Sequence, residues 1–221
     1  MGEGRVIVIG DVHGCARELA DLLDKLDVRP SRDEVVFVGD VINRGPDPCD
    51  ALDLMRQVKG KAVLGNHEAR LLRFRKTRAA AELKPNDWAT ARALRPKDWK
   101  WIAQWPLTRA WPRHNLIVVH AGFIPGIRWH KQPEEIITRV QMVNKAGLWG
   151  KRTQVRAGQP WANFWKGPET VVYGHTPRRN IHKRAHALGI DTGCVYGGHL
   201  TAYVLPERKI YQVPARKAYV G

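Results

Sequence analysis

Asp11 and His13 stand two residues apart in GDVHG, bounded by Gly10 and Gly14 and preceded by the apolar run RVIVI. A carboxylate and an imidazole at that spacing are a pair of donors for a cation. The chain repeats the arrangement: Asp40 follows Gly39 after EVVFV, Asn66 follows Gly65 after KAVL, His120 closes LIVV before Ala121-Gly122, and His175 follows Gly174 after TVVY. A glycine beside each lets the backbone turn sharply and approach a ligand closely. The six residues offer oxygen and imidazole donors with no thiolate among them. Six donors are too many for one ordinary ion and suit two ions sharing a carboxylate. Asp11, His13 and Asp40 can hold the first, and Asp40, Asn66, His120 and His175 the second, with Asp40 as the bridge. The donor mixture suits Mn²⁺ best, with Fe and Zn²⁺ as the other candidates.

These residues need elements that bring them to one place. Residues 5–9 read as a buried strand, and Leu19, Leu22, Leu23 and Leu26 share one face of a following helix. Residues 34–38 read as a second strand, Pro48 opens a second helix, and residues 61–64 read as a third strand. This β-α-β-α-β order predicts parallel strands with helices on their faces. In such sheets ligands gather at the carboxyl ends of the strands, where the six residues lie. Residues 116–119, 170–173, 187–190, 200–205 and 209–213 read as further strands, with little helix among the last three. The expectation is an α/β fold, a mixed sheet or two-sheet sandwich with flanking helices, formed by residues 1–221 as a single domain. All nine tryptophans fall between Trp88 and Trp165, so residues 79–165 are expected to form a helical, Trp-rich cap inserted in it. Most of these indoles are expected to be local core, with one or two available to stack on a base.

The 221 residues carry 37 Lys and Arg against 21 Asp and Glu, a net charge of +16 that favours polyanionic partners such as nucleotides, polyphosphate or RNA. No apolar run approaches the ~20 residues of a membrane span. Cys15, Cys49 and Cys194 are few and scattered, as reduced thiols would be. With the chemistry-bearing turn at residue 10 and no leader before it, the protein is expected to be cytoplasmic.

The ordered set GDVHG (10–14), GDVINRGP (39–46), GNHE (65–68), HAG (120–122) and GHT (174–176) resembles the calcineurin-like metallophosphoesterases, and within them the phosphoprotein-phosphatase branch. The resemblance runs from residue 5 to about residue 205. It implies a four-layer αββα sandwich and a dinuclear centre that activates water for direct attack on phosphorus. His67 matches the family's catalytic histidine, acting on the leaving oxygen, and Arg44 matches the arginine that grips the phosphoryl group.

One position departs from the protein Ser/Thr phosphatases. There the second motif reads GDxxDRG, and its second Asp orients the catalytic histidine. Here that position is Asn43, which has no charge to offer an imidazolium. In this the chain is similar to the symmetrical diadenosine tetraphosphatases and the ApaH-like phosphatases, as it is over DTGCVYGGHLTAYVL (191–205). That stretch also reads simply as a Gly-rich hairpin scaffold. A basic segment, ARLLRFRKTR (69–78), follows the catalytic motif, and Arg44, Asn66, Arg70 and Arg73 are expected to bind substrate phosphates. The expected activity is hydrolysis of diadenosine tetraphosphate or a related dinucleoside polyphosphate, to two nucleoside diphosphates. Serine/threonine phosphoprotein hydrolysis is the first alternative, and a basic RNA-binding or RNA-cap-directed phosphohydrolase the second.

Overall fold

The computed structural model describes residues 4–81 and 83–220. In chain order its elements are β1 (Val6–Ile9), α1 (Ala16–Lys25), β2 (Glu34–Phe37), α2 (Pro48–Gln57), β3 (Lys61–Ala62), α3 (Asn66–Thr77), α4 (Pro85–Ala93), α5 (Pro96–Ile102), β4 (Thr108–Trp111), β5 (Leu116–Val119), α6 (Glu134–Arg139), β6 (Met142–Val143), β7 (Trp149–Gly150), β8 (Gln159–Pro160), β9 (Thr170–Tyr173), β10 (His182–Lys183), β11 (Ala187–Gly189), β12 (His199–Leu205) and β13 (Lys209–Pro214). One sheet has the order β13-β12-β1-β2-β3 and a second the order β10-β11-β9-β5-β4.

Alternation along β1 explains why two sheets stack. Val6 and Val8 join Val36, Val38, Val118, Val172 and Leu188 in a core between the sheets. Ile7 and Ile9 point the other way, onto Leu19, Leu22, Leu52 and Met55 of α1 and α2. This is the two-residue period of a strand buried on both faces. The second sheet does the same, turning Ile117, Val119 and Val171 outward onto Ile136, Ile137 and Trp161. The layers are therefore helix, sheet, sheet, helix, as expected. Strands β1, β2 and β3 run parallel, as do β5, β9 and β11. Each sheet thus presents three strand carboxyl ends on one side.

Residues 79–165 do not form one helical cap. Strands β4 and β5 belong to the second sheet, so its core is threaded through the middle of that stretch. Helices α4 and α5 lie with the α1–α2 layer, where Leu94, Ile102 and Trp105 join the outer core of the first sheet. The remainder forms α6 and a small sheet of order β7-β6-β8 against the second sheet. The tryptophans divide accordingly: Trp99, Trp101 and Trp105 pack on one flank, and Trp129, Trp149, Trp161 and Trp165 on the other. Strand β3 is also shorter than expected. After Ala62 the chain leaves the regular ladder, and Leu64 N–H turns to donate to the Pro106 carbonyl at 2.8 Å. Among the described residues no helix is long and apolar enough to cross a membrane.

Candidate metal centre

The chain delivers Asp11 and His13 after β1, Asp40 after β2, Asn66 after β3, His120 after β5 and His175 after β9. All six meet between the two sheets. The His175 backbone N–H donates to both oxygens of Asp11, at 3.2 and 3.0 Å, which ties the carboxyl end of one sheet to that of the other. A side chain at Gly174 would place its Cβ 1.9 Å from Asp11 Oδ1, so only glycine permits this approach. His13, Asp40, Asn43, Arg44 and His175 all have positive φ, between 48° and 75°. For residues with a Cβ each such conformation costs about 1–2 kcal/mol, and the surrounding hydrogen bonds hold them in it.

The centre is arranged around Asp40 Oδ2. His120 Nε2 lies 3.4 Å from it, His13 Nε2 3.7 Å and His67 Nε2 3.9 Å. Asp40 Oδ1 faces away and accepts the His67 backbone N–H at 3.0 Å. Behind Asp40, Glu68 accepts the backbone N–H groups of Asp40 (2.9 Å), Val41 (2.9 Å) and Ile42 (3.2 Å), clasping the loop after β2 to α3.

The hydrogen-bond partners divide the four imidazoles by what each presents to the centre. His120 Nδ1 donates to the Val38 carbonyl at 2.9 Å, so its Nε2 carries a lone pair, and that lone pair faces Asn66 Oδ1 at 2.9 Å. His175 Nε2 donates to the Arg139 carbonyl at 3.2 Å, leaving the Nδ1 lone pair 2.8 Å from the same Asn66 oxygen. His13 Nδ1 donates to the Ile42 carbonyl at 3.3 Å, leaving Nε2 toward Asp40. Around Asn66 Oδ1, two acceptor nitrogens thus face an acceptor oxygen at hydrogen-bonding distance with no hydrogen between them, the arrangement a cation resolves. Carbonyls that fix the far nitrogen of ligating imidazoles are the usual support of a metal site. His67 is the exception, because donors face its Nδ1 and its N–H therefore points inward. His67 lies close enough to His13 and Asp40 to be counted with them by distance. Its tautomer separates it from the ligands.

Electrostatics point the same way. Burial, with Asp191 and Asp40 nearby, pushes the Asp11 carboxyl well above the usual range. Burial pushes Asp40 up to about 6 and Asp191 to about 7. Burial also holds the imidazoles of His13, His67 and His175 well below their ordinary value, and that of His120 at about 4. Crowded carboxylates and neutral imidazoles are what a divalent cation requires. The residues fit such a group: Asp11, His13, Asp40, Asn66, His120 and His175 are placed to hold it.

Arg44 reaches the rim of the centre, its Nη1 donating to His13 Nε2 at 3.2 Å and its guanidinium lying over the Tyr196 ring at 5.5 Å. Arg70 is committed elsewhere than expected. Its guanidinium grips Asp87 at 2.6 and 3.0 Å and meets His67 Nδ1 at 3.1 Å, so it stands behind the His67 ring, where the expectation had it binding substrate phosphates. Arg73 lies on the exposed face of α3.

Three contributors were missed in the sequence. Asp191 arrives after β11 as a sixth strand end, and its Oδ1 accepts Gly193 N–H at 3.0 Å. Part of its signal was present: in LGIDTG an Asp follows an apolar strand, although Ile190 separates it from Gly189. Glu68 was quoted within GNHE without a role. Asp87, in α4, had no signal beyond its place three residues after Lys84. Beside Asp191 a shallow groove of about 350 Å³ is lined by Pro177, Arg178, Arg179, Thr192 and Tyr196.

Comparison with known proteins bears on the same residues. Residues 4–208 match the family model described as calcineurin-like phosphoesterase. A protein of Oceanobacillus iheyensis named bis(5'-nucleosyl)-tetraphosphatase PrpE, asymmetrical, is 32% identical over 98% of this chain and 95% of its own. A crystal structure of a protein assigned as a diadenosine tetraphosphatase superposes with a TM-score of 0.86 at 36% identity, covering 96% of this chain and 94% of that one. A metallophosphoesterase from Sphaerobacter thermophilus, with a TM-score of 0.59 at 14% identity and coverage of 97% and 90%, shares the fold.

Proposed function

The chain belongs to the calcineurin-like phosphoesterase family, and from that premise we propose that it hydrolyses a phosphoanhydride bond of a dinucleoside tetraphosphate. The observation that carries the reading is the clustering of Asp40, Asn66 and three lone-pair imidazoles between the sheets, with Asp11 held beside them by the His175 backbone N–H. Two divalent ions bound there, Mn²⁺ by the character of the donors, would supply an activated water and neutralise phosphoryl oxygens. Arg44, at the rim, grips the phosphoryl group through its planar fork. His67 directs its Nε2–H into the centre, toward the leaving oxygen.

The choice of substrate draws on the relatives named for bis(5'-nucleosyl)-tetraphosphates. Arg178, Arg179 and Tyr196 support it, since a basic groove with an aromatic face beside the centre suits phosphates that continue into a nucleoside. The position of cleavage follows the relatives' designation as asymmetrical, in place of the equal split that the motif resemblance implied. Unequal cleavage of diadenosine tetraphosphate gives ATP and AMP, whereas an equal split gives two ADP. Incubation of the Mn²⁺-supplemented protein with diadenosine tetraphosphate, followed by chromatography, distinguishes them. ATP and AMP in equal amounts are expected. ADP alone would restore the symmetrical reading, and intact tetraphosphate would overturn the proposal.

A further inference from the structure

Glu18 lies on the inward side of α1, fully buried, and its Oε2 has no hydrogen-bond partner among the described residues. Its other oxygen is well served. Oε1 accepts the Arg216 backbone N–H at 2.9 Å and the Tyr219 hydroxyl at 2.8 Å, both from the tail after β13. Two thiols share the place. Cys15 Sγ, Cys194 Sγ and a Glu18 carboxylate oxygen all lie within 4.8 Å of one another, and both cysteines are buried. In sequence these cysteines look unrelated, and the fold explains their meeting. Cys15 opens α1 directly after the first Asp-His motif. Cys194 follows Gly193, whose φ of 71° turns the chain after β11. The tail closes over the same turn, with Tyr219 and Val220 N–H donating to the Val195 carbonyl at 2.9 and 3.3 Å. A buried carboxylate oxygen left without a partner costs its full desolvation. Neither thiol is placed as a listed donor to it, since the hydrogen bond of Cys15 Sγ goes to the His13 carbonyl at 3.9 Å.

We propose that Cys15, Cys194 and Glu18 form a further metal site, separate from the centre between the sheets, for a thiophilic divalent cation of the zinc class. Two sulfur donors and one carboxylate in a dry setting are a donor set for zinc, and sulfur selects against the harder ions that oxygen and imidazole accept. The spacing suits it. A point within about 2.8 Å of three such atoms always exists, close to the roughly 2.3 Å of a zinc–sulfur bond and 2.0–2.2 Å of a zinc–carboxylate bond. The Tyr219 hydroxyl, seated on the same carboxylate, is available as a fourth donor. Cys15 and Glu18 also stand at the amino end of α1, where the helix's partial positive charge favours an anionic donor set. Binding balances by proton release: each thiol gives its hydrogen to solvent as its sulfur bonds the cation, and no electron is transferred. Such an ion would join three segments that meet only here: the turn carrying Asp11 and His13, the turn carrying Asp191 and Tyr196, and the tail. A disulfide between the cysteines would need an oxidant and would leave the Glu18 oxygen unanswered, whereas a cation satisfies all three groups.

Cobalt reads the site without any turnover. Reduced, chelator-treated protein is titrated with Co²⁺ and followed in the near ultraviolet, where sulfur-to-cobalt charge transfer absorbs. The centre between the sheets has no sulfur donor and is silent there. A band that saturates at a single equivalent per chain, and that Zn²⁺ bleaches by displacing the cobalt, is expected. It should persist in Asp40→Asn, which disrupts the other centre, and in Cys49→Ser, which removes the remaining thiol. Cys15→Ser with Cys194→Ser should abolish it. Glu18→Gln keeps the shape and the oxygen that the tail uses, and should weaken cobalt binding at least tenfold, the scale of losing one ligand's support. Thermal unfolding checks that each variant is folded, and where the double variant is not, Glu18→Gln alone decides. No sulfur band in protein whose thiols titrate as free overturns the proposal, as does a band unchanged in Glu18→Gln. Two thiols missing from the unreduced protein and recovered only with reductant, with no band after reduction, would identify a disulfide in place of the site and overturn it equally. Because hydrolysis is not measured, failure here leaves the phosphohydrolase reading standing, and failure of that reading leaves this site untouched.

Discussion

The protein buries two groups of carboxylates, and their neighbours treat them oppositely. In the centre between the sheets, Asp11, Asp40 and Asp191 are crowded together with neutral imidazoles, and burial raises all three. On the outer flank, Asp98 is equally buried but answered by cations. Arg95 reaches it at 2.7 Å and Arg56 at 2.6 Å, and Arg56 stacks in turn over Trp101. Burial pushes the Asp98 carboxyl up, and these hydrogen bonds more than reverse it. A buried acid that its own chain neutralises is a structural rivet. One that the chain leaves crowded with other acids is waiting for something the chain does not encode. Asp87 belongs to both descriptions, since Arg70 neutralises it as a rivet while the same pair holds His67.

The largest effect that would sharpen this contrast is expected at Asp40. Asp40→Asn should remove bound metal and activity together, measured as metal content alongside turnover, whereas an active, metal-replete variant would break the comparison. His67→Asn should retain the metal and lose about 10²- to 10⁴-fold in turnover. On the other flank the cost should appear as stability. Asp98→Ala takes from Arg56 and Arg95 the buried one of their two shared carboxylates, and a loss of about 3 kcal/mol in denaturant unfolding is expected, with turnover per folded molecule preserved. The pH dependence of the metal-free protein offers a subtler test. Asp40 and Asp191 hold protons to about 6 and 7 when folded, against roughly 4 when unfolded. Each therefore contributes stability that is lost as pH rises through its folded value. The imidazoles of His13, His67, His120 and His175, held low in the fold, act with the opposite sign up to roughly 6.5, so the thermal midpoint of chelator-treated protein should fall only as pH rises above about 6.5, and Mn²⁺ should reduce the fall. Least of all, Asp53→Ala removes a carboxylate whose side chain is 37% exposed, although it touches Arg56 and Arg95. Water screens such pairs, and a change below about 1 kcal/mol is expected.

The same division governs what could be read in advance. Residues of the raised group sit at the ends of short β-branched strands beside glycines, and both signals are local. That is why Asp11, His13, Asp40, Asn66, His120 and His175 were identifiable one motif at a time. Asp191 also ends an apolar strand, but Ile190 stands where the motifs have Gly, and it was passed over because a hairpin accounted for its segment equally well. The residues behind them are specified by packing alone. Asp87 lies 44 positions beyond Asn43 and contacts it only because α4 packs against α3. Nothing in NDW announces that. The tryptophans misled for a related reason. Their clustering in sequence suggested one cap, yet β4 and β5 carry the chain through the second sheet between them, so neighbours in sequence became opposite flanks. The substitution at Asn43 was legible as a departure. That its amide faces donors and acceptors of fixed role was not, because those partners come from Arg44, Asp87 and Thr90.

Glu68 carries a final consequence. One carboxylate gathers the N–H groups of three successive residues, so the loop bearing Asp40 and the helix bearing His67 move as one body. The entropy of placing acid against imidazole is lost once, when the chain folds, and not again with each substrate bound. Such a centre has little capacity to adapt. On the proposed reading, tolerance for different nucleosides resides in the outer wall, where Tyr196 and Arg179 stand exposed, and variation there would alter which molecule is cleaved while the chemistry stays fixed.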